Sequence, residues 1–323
     1  MAHRTIESII SREKNVYAAS TLLGAFIVAH VADSKIGEFN RRKVSDKAEV
    51  LSTIRDGKFS IFTVPGYHTD GRIIGKNLDR HLGNMGTTHY AVHPQQGFSI
   101  DSIKEEWLKA RQLDGHRPAK LYAMSMGALL VAKLFSDAGF RSEFGEVDTL
   151  VMDSGLSGKR DVRISSKLAM AAATLLPLTY STGKLYSFIT SREAKKEIHH
   201  SPDVTHEEAY EHILSSTRTT FDAAKEQILF MNRNDISKMD LLQFSSAITR
   251  KISYIASIND GVLDSWQSAH HYAKALNRTI EYRIDTQRSN GEHATGPERP
   301  KGPIDALLDI NPHDYRIIQV DPT

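Results

Sequence analysis

The chain has 323 residues, 40% of them apolar and 25% charged, enough to bury a sizeable core and too apolar for a disordered chain. Forty-one Lys and Arg against thirty-nine Asp and Glu leave a formal charge of +2, which offers no bulk electrostatic case for a nucleic acid or an acidic partner. No cysteine is present, which excludes disulfides, thiolate-ligated zinc and a cysteine nucleophile and leaves the compartment open.

The first feature along the chain is an uncharged run, VYAASTLLGAFIVAHVA, over residues 16–32. It sits at the lower limit for a membrane-spanning helix, which needs about 20 residues. Ser20, Thr21, Gly24 and His30 suit a buried or surface-docked helix, and a membrane anchor is the other reading. A cleaved signal is disfavoured, because His30 stands where a small side chain is wanted before a cut at Ala32. An anchor followed by Arg41, Arg42 and Lys43 would favour a cytoplasmic catalytic domain, although Arg12 and Lys14 pull the other way. Residues 1–56 therefore read as an N-terminal helical segment, giving either a cytoplasmic or a membrane-anchored protein.

From there short apolar runs alternate with helical patterns. Strands are predicted at FSIFTVPGY (59–67), HYAVHP (89–94), AKLYAM (119–124), DTLVMDSG (148–155), ISYIASIND (252–260) and IEYRID (280–285). A helix is predicted over 99–113, where Ile100, Ile103, Trp107 and Leu108 share a face. Such alternation implies an α/β fold, a mostly parallel central sheet with helices on both faces. Its working residues would then lie on loops after the C-terminal strand ends. Residues 158–248 break the rhythm with helical patterns only, which points to a helical lid-like insertion between two core parts, 57–157 and 249–323. Its apolar segment 168–178 either faces an apolar substrate or a membrane surface, or packs on the domain.

The chemistry centres on AMSMG, where Ser125 follows a strand and opens a helix, with Ala123 and Gly127 two residues to either side. A sharp strand-to-helix turn that projects a serine crowds its flanking backbones, so small residues belong there. A serine hydroxyl needs a base, and the base needs an orienting carboxylate. Asp260 ends one downstream strand and His293 follows the next, giving the chain order Ser, Asp, His. Asp153, at another strand end, is the alternative acid, whereas Asp264 fits a helix N-cap.

With VPGYHTDGR, AMSMG, SINDGVL and GEHA, the chain resembles the α/β-hydrolase family over roughly residues 57–297. The resemblance implies Ser125, Asp260 and His293 as catalytic triad and the backbone amides of Tyr67 and Met126 as oxyanion hole. It further implies a lid after VMDSG, with no cofactor and no metal. Between Asp33 and Gly57 there is little room for the usual first two strands, so the sheet is expected to be shortened there or its edge taken by the N-terminal helix.

The remaining candidates have plainer readings. His270 and His271 fall on a helix pattern as surface or packing residues. His199, His200, His206 and His212 match no compact metal motif. His68 and Asp70 either touch substrate or make a turn. Gly71 and Gly75 lack the spacing and setting of a dinucleotide fingerprint. The expected activity is cleavage of a carboxylic ester through an acyl-enzyme, esterase- or lipase-like, on a small-molecule or lipid ester with an apolar acyl part. The alternatives are a thioesterase or acyltransferase on the same triad, or a non-catalytic protein that binds a ligand or partner in the cleft.

Overall fold

A computed structural model describes residues 47–67, 69, 71–82, 85–93, 98–163, 221–286, 293, 301–310 and 315–322. The apolar runs 16–32 and 168–178, the histidines at 199, 200, 206 and 212, and His68 and Asp70 lie outside the described residues.

Eight strands form one sheet in the order β1-β3-β2-β4-β5-β6-β7-β8. They are β1 (Glu49–Thr53), β2 (Phe59–Val64), β3 (Gly86–Val92), β4 (Ala119–Met124), β5 (Val147–Asp153), β6 (Ile248–Ser257), β7 (Ile280–Asp285) and β8 (Tyr315–Val320). The inner pairings are parallel, while β1 lies antiparallel to β3 and β8 antiparallel to β7. At the edge expected to be shortened or covered by a helix, the described residues hold one strand, β1, so the sheet begins before residue 57. Helices α1 (Gly71–Leu82), α2 (Ile100–Leu113), α3 (Met126–Phe135), α4 (Ala138–Phe144), α5 (Phe221–Arg233), α6 (Leu242–Ala247), α7 (Ser265–Leu276) and α8 (Lys301–Leu308) complete it.

The inner strands read as near-continuous apolar runs because both of their faces are buried. Ile61, Tyr122, Met124, Val151 and Ile255 meet Ile74, Leu78 and Leu82 of α1 and Ile304 and Leu307 of α8. Their strand neighbours Phe62, Leu121, Ala123, Leu150, Met152, Tyr254 and Ala256 point the other way, into the larger cluster with α2, α3, α4 and α7. Between α1 and β3 the fit is close: a Cβ on Gly71 would lie 1.8 Å from the Ala91 carbonyl oxygen and one on Gly75 2.4 Å from the Tyr90 ring. Those glycines serve helix-on-strand packing.

Within residues 158–248, the described parts pack on this core. Ile228, Phe230 and Met231 of α5, and Ile236, Leu241 and Phe244 beyond it, join the larger cluster. Among the described residues no helix is long and apolar enough to cross a membrane.

The sheet order reverses at β2. The chain passes from β2 to β3 on one side and then returns to β4 on the other. Such a switch point opens a crevice beyond the C-terminal strand ends. Behind it, the larger cluster is anchored by Phe144, whose ring lies 5.1 Å from Phe62, 5.8 Å from Trp107 and 5.0 Å from Phe135. Phe144→Ala should remove these contacts together and lower the unfolding free energy by about 3–5 kcal/mol, read from urea-induced unfolding.

Candidate active site

One residue makes the transition from β4 to α3. Ser125 stands between Met124 and Met126 with φ 45 and ψ −116, backbone angles that strain a residue bearing a Cβ. Three backbone hydrogen bonds hold it there. Its N–H donates to the Asp153 carbonyl at 2.9 Å, and its carbonyl accepts from Ala128 N–H at 3.1 Å and Leu156 N–H at 3.0 Å. Although Ser125 occupies the N-cap position of α3, its side chain makes no capping bond, so the hydroxyl is directed elsewhere.

The same turn explains the small residues beside it. A Cβ on Gly127 would lie 2.7 Å from the Val64 carbonyl oxygen and 2.8 Å from that of Pro65. One on Gly66 would lie 3.2 Å from the Ser125 Cβ. Ala123, by contrast, sits in mid-sheet between Val64 and Met152, where a methyl group fits. The loop after β2 is further tied down by His93, whose Nε2 is 3.3 Å from the Pro65 carbonyl oxygen.

The hydroxyl faces His293. Ser125 Oγ is 2.8 Å from His293 Nε2, and His293 Nδ1 is 2.8 Å from Asp260 Oδ2. The carboxylate is the more enclosed member, with its side chain 1% exposed against 17% for the imidazole. Asp260 also accepts from Val262 N–H at 2.8 Å, Leu263 N–H at 3.0 Å and the Ser265 hydroxyl at 3.0 Å. Burial works against its ionisation, yet the hydrogen bond and charge of His293 and the two backbone amides outweigh it and hold the carboxyl below its ordinary value. An ionised Asp260 only accepts, so Nδ1 carries the proton; a neutral ring then presents a bare Nε2 to the serine O–H.

The other acids take different places. Asp153 is buried at the end of β5, where its carboxylate accepts the Tyr122 hydroxyl at 2.8 Å. Asp264 caps α7 by accepting Gln267 N–H at 3.1 Å. Tyr67 follows Gly66 on the loop that abuts Ser125, and Met126 opens α3, in the first turn where amides have no intrahelical acceptor. Among the described residues no group of three or more His, Asp or Glu is placed to hold a metal ion.

Among the described residues two further Ser–His–Asp groupings occur, and they show what singles out the first. Ser52 Oγ lies 2.8 Å from His89 Nδ1, with His89 Nε2 2.6 Å from Asp114. Ser52 however lies within β1, directly opposite His89, and Asp114 also takes the Ser60 hydroxyl and faces Arg111 at 3.5 Å. In the second, the Ser157 hydroxyl donates its hydrogen bond to Asp161, which pairs with His271. Among the described residues, Ser125 alone combines a hydroxyl withheld from capping, an imidazole beside it and the start of a helix.

No family profile and no curated protein matches the sequence. Solved structures do match across most of the chain. An esterase from Exiguobacterium antarcticum is 10% identical, with TM-score 0.58 over 82% of this chain and 97% of its own. A thermophilic esterase from Thermogutta terrifontis is 12% identical, with TM-score 0.54 over 80% and 92%. The enol-lactonase from Burkholderia xenovorans LB400 is 12% identical, with TM-score 0.53 over 81% and 96%. The chain has the α/β-hydrolase fold.

Within the α/β-hydrolase frame, His271 is more than the surface or packing residue its helix pattern suggests. It lies on α7 with Nδ1 2.9 Å from Asp161. The short spacing of Ser157 and Asp161 within a turn was a signal, but nothing in the sequence set His271 beside them.

Two outcomes follow from the geometry. Replacing a helical glycine by alanine ordinarily gains about 1 kcal/mol. At Gly127 the two carbonyl contacts reverse the sign, and Gly127→Ala should cost about 1–3 kcal/mol in urea-induced unfolding. Because folding lowers the Asp260 pKa, its contribution to stability is complete above the unfolded carboxylate value of about 3.9 and is lost as pH falls through the lower folded value. The stability difference between wild type and Asp260→Asn should accordingly shrink on acidification from about pH 6 to about pH 2.

Proposed function

We propose that the protein is a serine hydrolase that cleaves a carboxylic ester through an acyl-enzyme intermediate. The observation that carries this reading is the continuous line from Ser125 Oγ through His293 to a buried Asp260, with both hydrogen bonds at 2.8 Å. Esterases and a lactonase among the structural neighbours agree with it, although the fold itself hosts many chemistries.

In this mechanism Ser125 Oγ attacks the ester carbonyl carbon while His293 Nε2 takes its proton. Asp260 keeps the imidazole oriented and stabilises the imidazolium that forms. Two backbone N–H groups, those of Tyr67 and Met126, receive the negative charge that develops on the carbonyl oxygen, each contributing a few kcal/mol. Collapse of the tetrahedral intermediate expels the alcohol, which leaves with the proton from His293. Water then attacks the acyl-enzyme, giving its proton to His293, and the acid departs as Ser125 regains its hydroxyl proton. These steps call on side chains and backbone amides of the chain itself. An apolar acyl part of the substrate is proposed from the sequence of segment 168–178, which carries Met170, Leu175 and Leu176.

Intact mass after exposure to a fluorophosphonate tests the nucleophile. A single adduct on the wild type, absent from Ser125→Ala, is expected. A folded protein that never forms the adduct would favour the ligand-binding alternative. On a chromogenic ester, Asp260→Asn should lower turnover by about four orders of magnitude, whereas Asp153→Asn should retain far more activity. The reverse order would move the acid to β5.

A further inference from the structure

We propose that Asp161 and His271 are positioning residues for the triad, clamping the loop that carries Asp260; this rests on the reading of Ser125, His293 and Asp260 as catalytic. The loop from Asp260 to Asp264 holds its carboxylate through the N–H groups of Val262 and Leu263. The carbonyls of those same two residues turn to one partner. Val262 accepts from Arg163 N–H at 2.9 Å, and Leu263 accepts from Arg163 Nε at 3.2 Å. Val162 bridges to Leu263, and Asp264 N–H donates to the Asp161 carbonyl at 2.8 Å. The stretch 161–163 therefore fixes the Val262–Leu263 peptide, whose carbonyl it holds and whose N–H grips the acid, and both edges of the Leu263–Asp264 peptide that follows.

What fixes 161–163 is α7. The Asp161 side chain, 2% exposed, receives His271 Nδ1 at 2.9 Å on one oxygen and 3.0 Å on the other, together with the Ser157 hydroxyl. Ser268 and Tyr272 stand beside His271 on the same helix. They donate to the Gly155 carbonyl at 2.7 Å and the Leu156 carbonyl at 2.7 Å. Leu156 N–H, in turn, donates to the Ser125 carbonyl. One strip of chain, 155–163, thus touches the nucleophile's turn at one end and the acid's loop at the other. Among the described contacts Asp161 is its one carboxylate tie to α7, with Arg160 at 4.0 Å and the Arg160–Asp235 pair at 3.5 Å beside it.

The test uses His271→Leu, which removes the donor to Asp161, and His271→Asn, whose amide N–H reaches the position of Nδ1 without a charge. In the full chain, His271→Leu should slow the maximal rate of fluorophosphonate modification at Ser125 at least about tenfold while the half-saturating probe concentration stays within about twofold. His271→Asn should recover most of that rate. Hydrogen exchange read by mass spectrometry should show the amides of Val262 and Leu263 losing protection in the leucine variant and regaining it in the asparagine one, with those of β4 and β5 unchanged. Unchanged protection at Val262 and Leu263, or lost protection with an unchanged modification rate, overturns the proposal. A wild type that never reacts overturns the nucleophile reading instead, and the exchange data then decide the clamp by themselves.

Discussion

Everything in the site depends on the backbone of Ser125 being held at a positive φ. A non-glycine residue in such a region costs of order 1–3 kcal/mol, and it persists only where the surroundings leave no alternative. Here β5 supplies an acceptor for its N–H, Leu156 and Ala128 supply donors for its carbonyl, and the end of β2 presses on Gly127. The strain is thus spread over three neighbouring segments. Relaxing it would turn the hydroxyl back toward the helix end, where a serine ordinarily caps. The absent capping bond is the visible mark of that choice.

A buried carboxylate is the second requirement, and it is met by hydrogen bonds more than by position. Asp260 takes four donors, two of them backbone amides from the loop immediately after it. An isolated charge at that depth would shift toward its neutral form, since burial alone costs several kcal/mol. The local loop satisfies one oxygen and leaves the other for Ser265 and the imidazole. Asp114 shows a different balance, because Ser60, His89 and Arg111 all converge on it. There the charge is consumed in tying the end of α2 to β2 and β3.

The legible parts of the sequence were those in which burial writes a pattern. The inner strands β2, β4 and β5 bury both faces, so their apolar runs stand out between turn residues, and β4 keeps its expected bounds, AKLYAM. Edge strands do not leave such a trace. EVLST of β1 is half exposed, and its pairing to β3 depends on long-range contact that no local pattern encodes. YRIIQV of β8, partly exposed along its length, leaves no clearer a pattern. Ser125, Asp260 and His293 stand out in the sequence by their places after strands, and the structure brings their side chains together. The tie between Asp161 and His271 does not stand out, because it joins residues 110 apart on elements whose approach only the fold decides.

A binding protein on this fold would have little use for the strain at Ser125. Its cleft would be served as well by a serine that caps α3 in the ordinary way, which satisfies a helix amide and relieves the backbone together. A nucleophile needs the opposite: a hydroxyl withdrawn from the helix, a proton acceptor beside it and N–H groups left over for the charge to come. The withheld cap and the contact of the Ser125 hydroxyl with His293 are a single structural decision, and that coupling is what favours catalysis over binding at this turn.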